Sequence, residues 1–196
     1  MGNSPPQINE RRLFAEWMLI FVSFPIGGIM ALAFVGPMDD LPSAAFGGAV
    51  AGTVIGAAQL VILRRQVGMT VGWLVSTAIG LALGNSIGVL LNGGGTHWVD
   101  LLIVGATTGL AVGVVQFTLL REYLEHSILW PPVVALGWPL GWLVTSGTGT
   151  NIQLGYAVFE SFGGVAFAAL SGVALIYMAR ATNARARRRA EALSEP

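Results

Sequence analysis

Long apolar segments separated by short polar ones make up most of the chain. A transmembrane helix needs roughly 17 to 25 predominantly apolar residues, and six segments have that length. They cover residues 14–36, 44–63, 71–91, 99–120, 133–149 and 156–179. The pattern predicts an all-α membrane protein with a polar cytoplasmic lead-in at 1–12, a six-helix transmembrane domain at 13–180 and a basic cytoplasmic tail at 181–196.

The even-numbered segments repeat one motif, in which glycines four positions apart are followed by a glutamine and an arginine. Residues four apart share one face of a helix, and a single hairpin cannot bury such a face alone. The repeat therefore predicts three two-helix hairpins around a pseudo-threefold axis. The two full copies are Gly48, Gly52, Gly56, Gln59, Arg64 and Gly105, Gly109, Gly113, Gln116, Arg121, and the weaker copy is Gly164, Ala168, Gly172, Leu175, Arg180.

Small residues allow two membrane helices to approach closely, so we interpret the glycines as a packing stripe, or glycine zipper. A glycine-lined face would also admit a flat ligand such as a pigment, which stays open as the alternative. The predicted stripe consists of Gly48, Gly52, Gly56, Gly80, Gly84, Gly88, Gly105, Gly109, Gly113, Gly164 and Gly172.

Tryptophans stand near the start of the odd-numbered segments, at Trp17, Trp73 and either Trp138 or Trp142. A tryptophan at the end of a membrane helix is typical of the aromatic belt at the lipid–water interface. The sequence therefore predicts an interfacial position for these side chains.

Charged residues are 10% of the chain, against about 25% in soluble domains, so lipid must cover much of the surface. All ten basic residues are arginines, and six crossings bring every one of them to the same side. The positive-inside rule then predicts cytoplasmic termini in the inner membrane of a prokaryote. The arginines expected to contact lipid headgroups are Arg64, Arg65, Arg121, Arg180, Arg187, Arg188 and Arg189.

Three polar side chains inside the segments are candidate polar or ligand contacts. Gln59 and Gln116 lie about one turn from the arginines, where an amide usually hydrogen-bonds a neighbouring helix, and we favour that structural interpretation. Glu160 lies one turn before Gly164 on the stripe face. An acid within a membrane segment is a functional hypothesis by default, unless its depth places it at the interface.

The sequence contains few residues in an arrangement that could catalyse a reaction. The chain has no cysteine, which excludes disulfides, thiolate metal sites and cysteine nucleophiles. His97 and His126 are predicted on opposite sides of the membrane, so they cannot share a metal. Ser146 lacks a histidine base within any segment. We therefore expect no catalytic residue, no metal site and no cofactor, although a bound lipid or pigment is compatible with the pattern.

The block G-x3-G-x3-G-x2-Q-x3-L-R, followed by Gly72 and Trp73 after its first copy, resembles a group of uncharacterised prokaryotic multi-pass membrane proteins built from the same repeated hairpin. The resemblance covers roughly residues 44–180. It implies the fold and the membrane location, and it supplies no activity.

Two functions are compatible with these patterns. The favoured one is a non-enzymatic packing, assembly, or lipid- or pigment-binding module of a membrane complex. Its partners would be the bilayer, other membrane subunits or further copies of the chain, and no nucleic acid. The alternative is a small-solute or ion transporter or channel that uses Glu160 as an inward-facing acid, with helices kinked at Pro25 and Pro139.

Overall fold

The computed structural model describes residues 7–95, 97–147 and 161–194. Within those ranges every regular element is helical, as the apolar pattern predicts. The helices are α1 (Glu10–Met18), α2 (Ser23–Val35), α3 (Leu41–Val67), α4 (Gly72–Asn92), α5 (Trp98–Leu120), α6 (Trp130–Gly147) and α7 (Ser161–Ala192). Short 3₁₀ turns at Leu19–Val22 and Ser127–Leu129 precede α2 and α6.

Six helical segments of the described chain are long and apolar enough to cross a membrane, which confirms that part of the prediction. They are Glu10–Val35, Leu41–Val67, Gly72–Asn92, Trp98–Leu120, Ser127–Gly147 and Phe162–Ala192. Large apolar side chains lie exposed on all six, for example Phe46 on α3, Leu83 on α4 and Leu136 on α6. Such a surface implies a lipid bilayer as the environment of a multi-pass membrane protein.

Several helices extend beyond the segments that the hydrophobic pattern marks, among them the fifth and the last. The fifth begins at Trp130, so Pro131 and Pro132 lie in its first turn, where the missing N–H of proline costs nothing. The last runs without interruption through the arginines to Ala192. The tail predicted at 181–196 is thus a continuation of α7 over most of its length. The predicted start of the sixth segment, Tyr156, lies outside the described residues.

Local sequence explains where α3 begins and ends. Asp40 and Ser43 form a capping box at its first turn, in which the Ser43 N–H donates to Asp40 Oδ1 at 2.8 Å. Hydrogen bonds from the side chain and the backbone of Ser43 lower the pKa of the Asp40 carboxyl. At the other end Gly68 adopts a φ of 78°, which a glycine tolerates without strain.

The helices form a closed ring, because each packs on the next in chain order and α7 returns to α1. Backbones touch along this ring at glycine positions. A Cβ atom added to Gly52 or to Gly80 would lie 2.6 Å from the Cα of Ala78 or Val112 on the next helix. A Cβ on Gly105 would lie 2.8 Å from the Cα of Pro139. Only a glycine allows the backbones of neighbouring helices to come this close at these three positions.

Where α7 packs on the first membrane segment, its glycines mainly meet groups larger than a glycine. A Cβ on Gly172 would meet the ring of Phe14 at 3.1 Å, and one on Gly164 would meet the carbonyl oxygen of Phe21 at 3.0 Å. Pro25 leaves that carbonyl without its helical partner, since a proline has no N–H to donate. The chain is 3₁₀-helical just before Pro25, from Leu19 to Val22.

Candidate functional site

Three tryptophans meet inside the ring, and we call them the indole cluster. Trp17 comes from α1, Trp73 from α4 and Trp130 from α6, which are alternate positions around the ring. All three are fully buried, with exposed fractions of 0%. The ring centroid of Trp130 lies 6.1 Å from that of Trp17, in an edge-on arrangement, and 5.9 Å from that of Trp73, in a tilted one. Both geometries are favourable for aromatic pairs.

Each indole N–H of the cluster donates a hydrogen bond to a side chain of a neighbouring helix. Trp73 Nε1 donates to Gln59 Oε1 at 2.9 Å, and Trp130 Nε1 donates to Gln116 Oε1 at 2.8 Å. Trp17 Nε1 donates to Ser171 Oγ at 2.9 Å. A buried tryptophan needs such a partner for its polar edge. The acceptors lie on α3, α5 and α7, so every helix of the ring except α2 supplies a residue.

A second set of bonds joins the two glutamines. Gln116 Nε2 donates to Thr77 Oγ1 at 2.8 Å and to Gln59 Oε1 at 3.3 Å. Thr77 in turn donates to the carbonyl oxygen of Trp73 at 2.8 Å. Gln59, Gln116 and Thr77 are each at most 1% exposed. The network contains neutral groups alone. It can therefore hold the indoles and the helices in position, but it has no acid or base for catalysis.

The third copy of the motif lacks the glutamine. Leu175 occupies the matching position and is completely buried. Ser171, one turn earlier, supplies the acceptor for Trp17 instead, while its own hydroxyl donates to the carbonyl oxygen of Phe167. The polar network is therefore strongest on the α3–α6 side of the cluster.

The tryptophan prediction requires correction. Trp17 and Trp73 face the interior of the bundle and not the surrounding lipid, because both are fully buried and their indoles pack on Trp130. Trp130 falls in a connection between apolar segments, which hides it from a hydropathy pattern. One signal marks it: Gln116 and Trp130 are 14 residues apart, and so are Gln59 and Trp73.

Beyond the indole cluster, away from the arginine side, aromatic side chains continue to fill the ring. Phe24, Trp138 and Phe167 pack with ring centroids 5.0 to 5.7 Å apart. Beside them lies a cavity of about 40 Å³, lined in part by Asn85 and Trp142. Its volume admits a few water molecules and is far too small for a pigment.

Asn85 is the amide that lines this cavity. It is 8% exposed, and its Oδ1 accepts a hydrogen bond from Thr108 at 2.8 Å. The pair links α4 to α5 directly after Gly84, in the half of the ring away from the arginines. The pair places polar groups in the part of the bundle away from the arginines, where the hydrophobic pattern of the sequence indicates only apolar helices.

The remaining candidates lie apart from the cluster. Glu160 falls outside the described residues. No group of three His, Cys, Asp or Glu side chains that could hold a metal occurs in the part of the chain that the structure describes. Arg180 pairs with Glu10 at 2.6 Å, and Arg187 donates to Gln7 at 3.3 Å, so the two ends of the chain meet. The other predicted headgroup contacts, Arg64, Arg65, Arg121, Arg188 and Arg189, have exposed side chains.

The meeting of the two chain ends includes a buried amide that the sequence does not single out. Asn183 on α7 accepts from the N–H of Ile8 and donates to its carbonyl oxygen, both at 3.0 Å. Arg185 of the same helix forms an ion pair with Glu125 in the turn after α5. These contacts hold the extension of α7 against the lead-in and the α5–α6 connection.

Comparison with family models, with curated proteins and with solved structures finds no match to this chain.

Proposed function

We propose that the protein is a non-enzymatic module of a membrane complex, which serves packing and assembly and binds lipid at its surface. One observation carries the proposal: the indole cluster occupies the middle of the ring, and hydrogen bonds fix all three of its N–H groups. At the depth of the indole cluster, a bundle that is filled in this way contains neither a reaction centre nor a path for a solute. Its outer surface is then the part available to other molecules.

We further propose that the ring consists of three related two-helix units about a pseudo-threefold axis. Each unit pairs a helix of the glycine motif with the tryptophan helix that follows it in the ring. In two units the pairs are Gln59 with Trp73 and Gln116 with Trp130. The third unit joins α7 to α1 across the chain ends, with Ser171 as the partner of Trp17. Equal spacing and equal bonding in the first two units support this arrangement.

The proposed location is the inner membrane of a prokaryote, with both termini in the cytoplasm. The positive-inside rule and the position of all ten arginines support it. The native chain has no cysteine, so a single cysteine in place of Ser194 reports the orientation cleanly. Labelling of that cysteine from outside intact cells would contradict the proposal.

Photo-crosslinking tests the assembly role directly. A photoreactive amino acid is placed at one lipid-exposed position on each membrane segment and activated in native membranes. We expect a discrete protein adduct, to a second copy or to another subunit, from one or two adjacent helices, and lipid adducts from the rest. Lipid adducts alone at all six positions would overturn the assembly role. The positions are Ile29, Phe46, Leu83, Leu110, Leu136 and Val173.

The cavity beside Asn85 favours a second function, transport of a small solute or an ion. It lies inside the ring on the outer side of the indole cluster, and α2 and α6, which supply part of its lining, contain Pro25 and Pro139. In that function the cluster is a closed barrier and Glu160 is the external acid. A protein-dependent flux across a sealed membrane distinguishes transport from the packing role.

A further inference from the structure

A lateral groove opens between α1 and α3 on the arginine side of the bundle. Its volume is about 430 Å³, and its floor and walls are apolar at Leu19, Ile20, Ala58, Val61 and Ile62. Of these, Leu19 is 65% and Val61 51% exposed, so the groove faces the surrounding lipid.

The break in the first membrane segment explains the groove. Before the break, Phe14 of α1 packs on Gly172 of α7; after it, Gly27 of α2 packs on Ala51 of α3, where an added Cβ would lie 3.1 Å from a backbone oxygen. The 3₁₀ turn Leu19–Val22 joins these two directions. The first segment thus leans towards α7 at its arginine end and leaves α3 partly uncovered there.

Charged and polar groups lie at one end of the groove, at Glu16 and Arg65. Both carboxylate oxygens of Glu16 are engaged: Oε1 accepts from Arg12 Nε at 2.7 Å, and Oε2 accepts from Gln66 Nε2 at 3.0 Å. Arg12 balances the charge of Glu16. Arg65 forms no hydrogen bond or ion pair with the residues that the structure describes, although its charge also acts on Glu16 across the groove. Two arginines therefore face one carboxylate, which leaves one net positive charge at the end of an apolar groove.

We infer that this groove binds one anionic phospholipid. The phosphate lies on the guanidinium of Arg65, and one acyl chain follows the apolar groove between α1 and α3. An arginine near the membrane surface attracts anionic headgroups, and its planar guanidinium matches the oxygens of a phosphate. The apolar walls supply the second point of recognition, which a free phosphate ion cannot use. The inference rests on the proposed membrane location, with Arg65 at headgroup depth, and it names the lipid-binding surface of the module.

Native mass spectrometry of protein released from nanodiscs tests this inference. The discs contain equal amounts of phosphatidylglycerol and phosphatidylcholine, and the measured quantity is the fraction of protein that retains phosphatidylglycerol. For Arg65→Gln we expect the binding constant to fall about fivefold, the equivalent of about 1 kcal/mol. The matched control is Arg121→Gln, which removes the same charge on the same side at a residue outside the groove. It should leave the binding constant within about twofold of the parent value.

Ala58→Trp is a second variant, which fills the groove and leaves every charge in place. It should also lower the fraction of protein that retains the lipid, while its thermal melting in lipid-free detergent stays close to that of the parent. Equal retention by the parent and Arg65→Gln, or an equal loss in Arg65→Gln and Arg121→Gln, would overturn the inference. If the groove binds no lipid, the proposed assembly role is not affected, because the crosslinks from the six surface positions do not require this lipid.

Discussion

Replacement of Gln116 by leucine should lower the free energy of unfolding by about 2 kcal/mol. The leucine keeps most of the volume, so the main loss is polar. Trp130 Nε1 loses its acceptor in a buried site, which costs about 1 to 3 kcal/mol for an unpaired buried donor. The bonds from Gln116 to Thr77 and to Gln59 disappear as well. Interhelical bonds of this kind contribute about 0.6 kcal/mol on average in membrane proteins.

Reversible unfolding in mixed micelles, followed by tryptophan fluorescence, gives that free energy. The matched control is Gln66→Leu, which makes the same change at a half-buried amide whose one partner is Glu16. We expect a loss of under about 0.5 kcal/mol there, since the site is near the surface. The indole ¹⁵N–H resonance of Trp130 should shift in Gln116→Leu and stay in place in Gln66→Leu. Equal stabilities for the two variants would contradict the role of the network.

The largest loss is expected for Gly52→Leu. A Cβ at this position would lie 2.6 Å from Ala78 Cα and 2.8 Å from Thr77 O, both backbone atoms of α4. Neither can yield without moving the helix, so α3 and α4 must separate. Overpacking of an interior costs about 1 to 3 kcal/mol and at times more. We expect about 3 kcal/mol or more for leucine and a smaller loss for Gly52→Ala.

Gly147→Leu is the control for this prediction, since a Cβ there meets no atom within 4 Å among the residues that the structure describes. The same unfolding assay compares the two leucine variants. Because Thr77 belongs to the hydrogen-bond network, Gly52→Leu should also perturb the indole resonance of Trp73. If Gly52→Leu and Gly147→Leu unfold alike, the backbones of α3 and α4 do not make the close contact that the ring requires.

Some of this architecture follows from sequence because it depends on local periodicity. The apolar runs give the membrane segments, and glycines at every fourth position show which face of α3, α4 and α5 can approach a neighbour. The position of Gln59 and Gln116 on the same helices as those glycines indicates that their amides face the interior. Each inference needs only the geometry of one helix.

Other features depend on contacts between distant parts of the chain, and no local pattern shows them. Ser171 and Trp17 are separated by 154 residues, and their bond exists because α7 returns to α1. Trp130 follows a polar connection and precedes two prolines, so it resembles a loop residue by hydropathy. The extension of α7 is stabilised by Asn183 and Ile8, 175 residues apart. For these residues tertiary packing overrides the local signal.

The proposal of a packed, non-conducting interior is tested most directly by flux through sealed proteoliposomes. Proton, alkali-cation and chloride movements are followed with fluorescent reporters, and protein-free vesicles of the same lipid serve as the baseline. An interior filled by Trp17, Trp73 and Trp130 predicts fluxes equal to that baseline for every ion, in the parent and in Glu160→Gln alike. A saturable flux in the parent that disappears in Glu160→Gln would contradict it and establish the protein as a transporter.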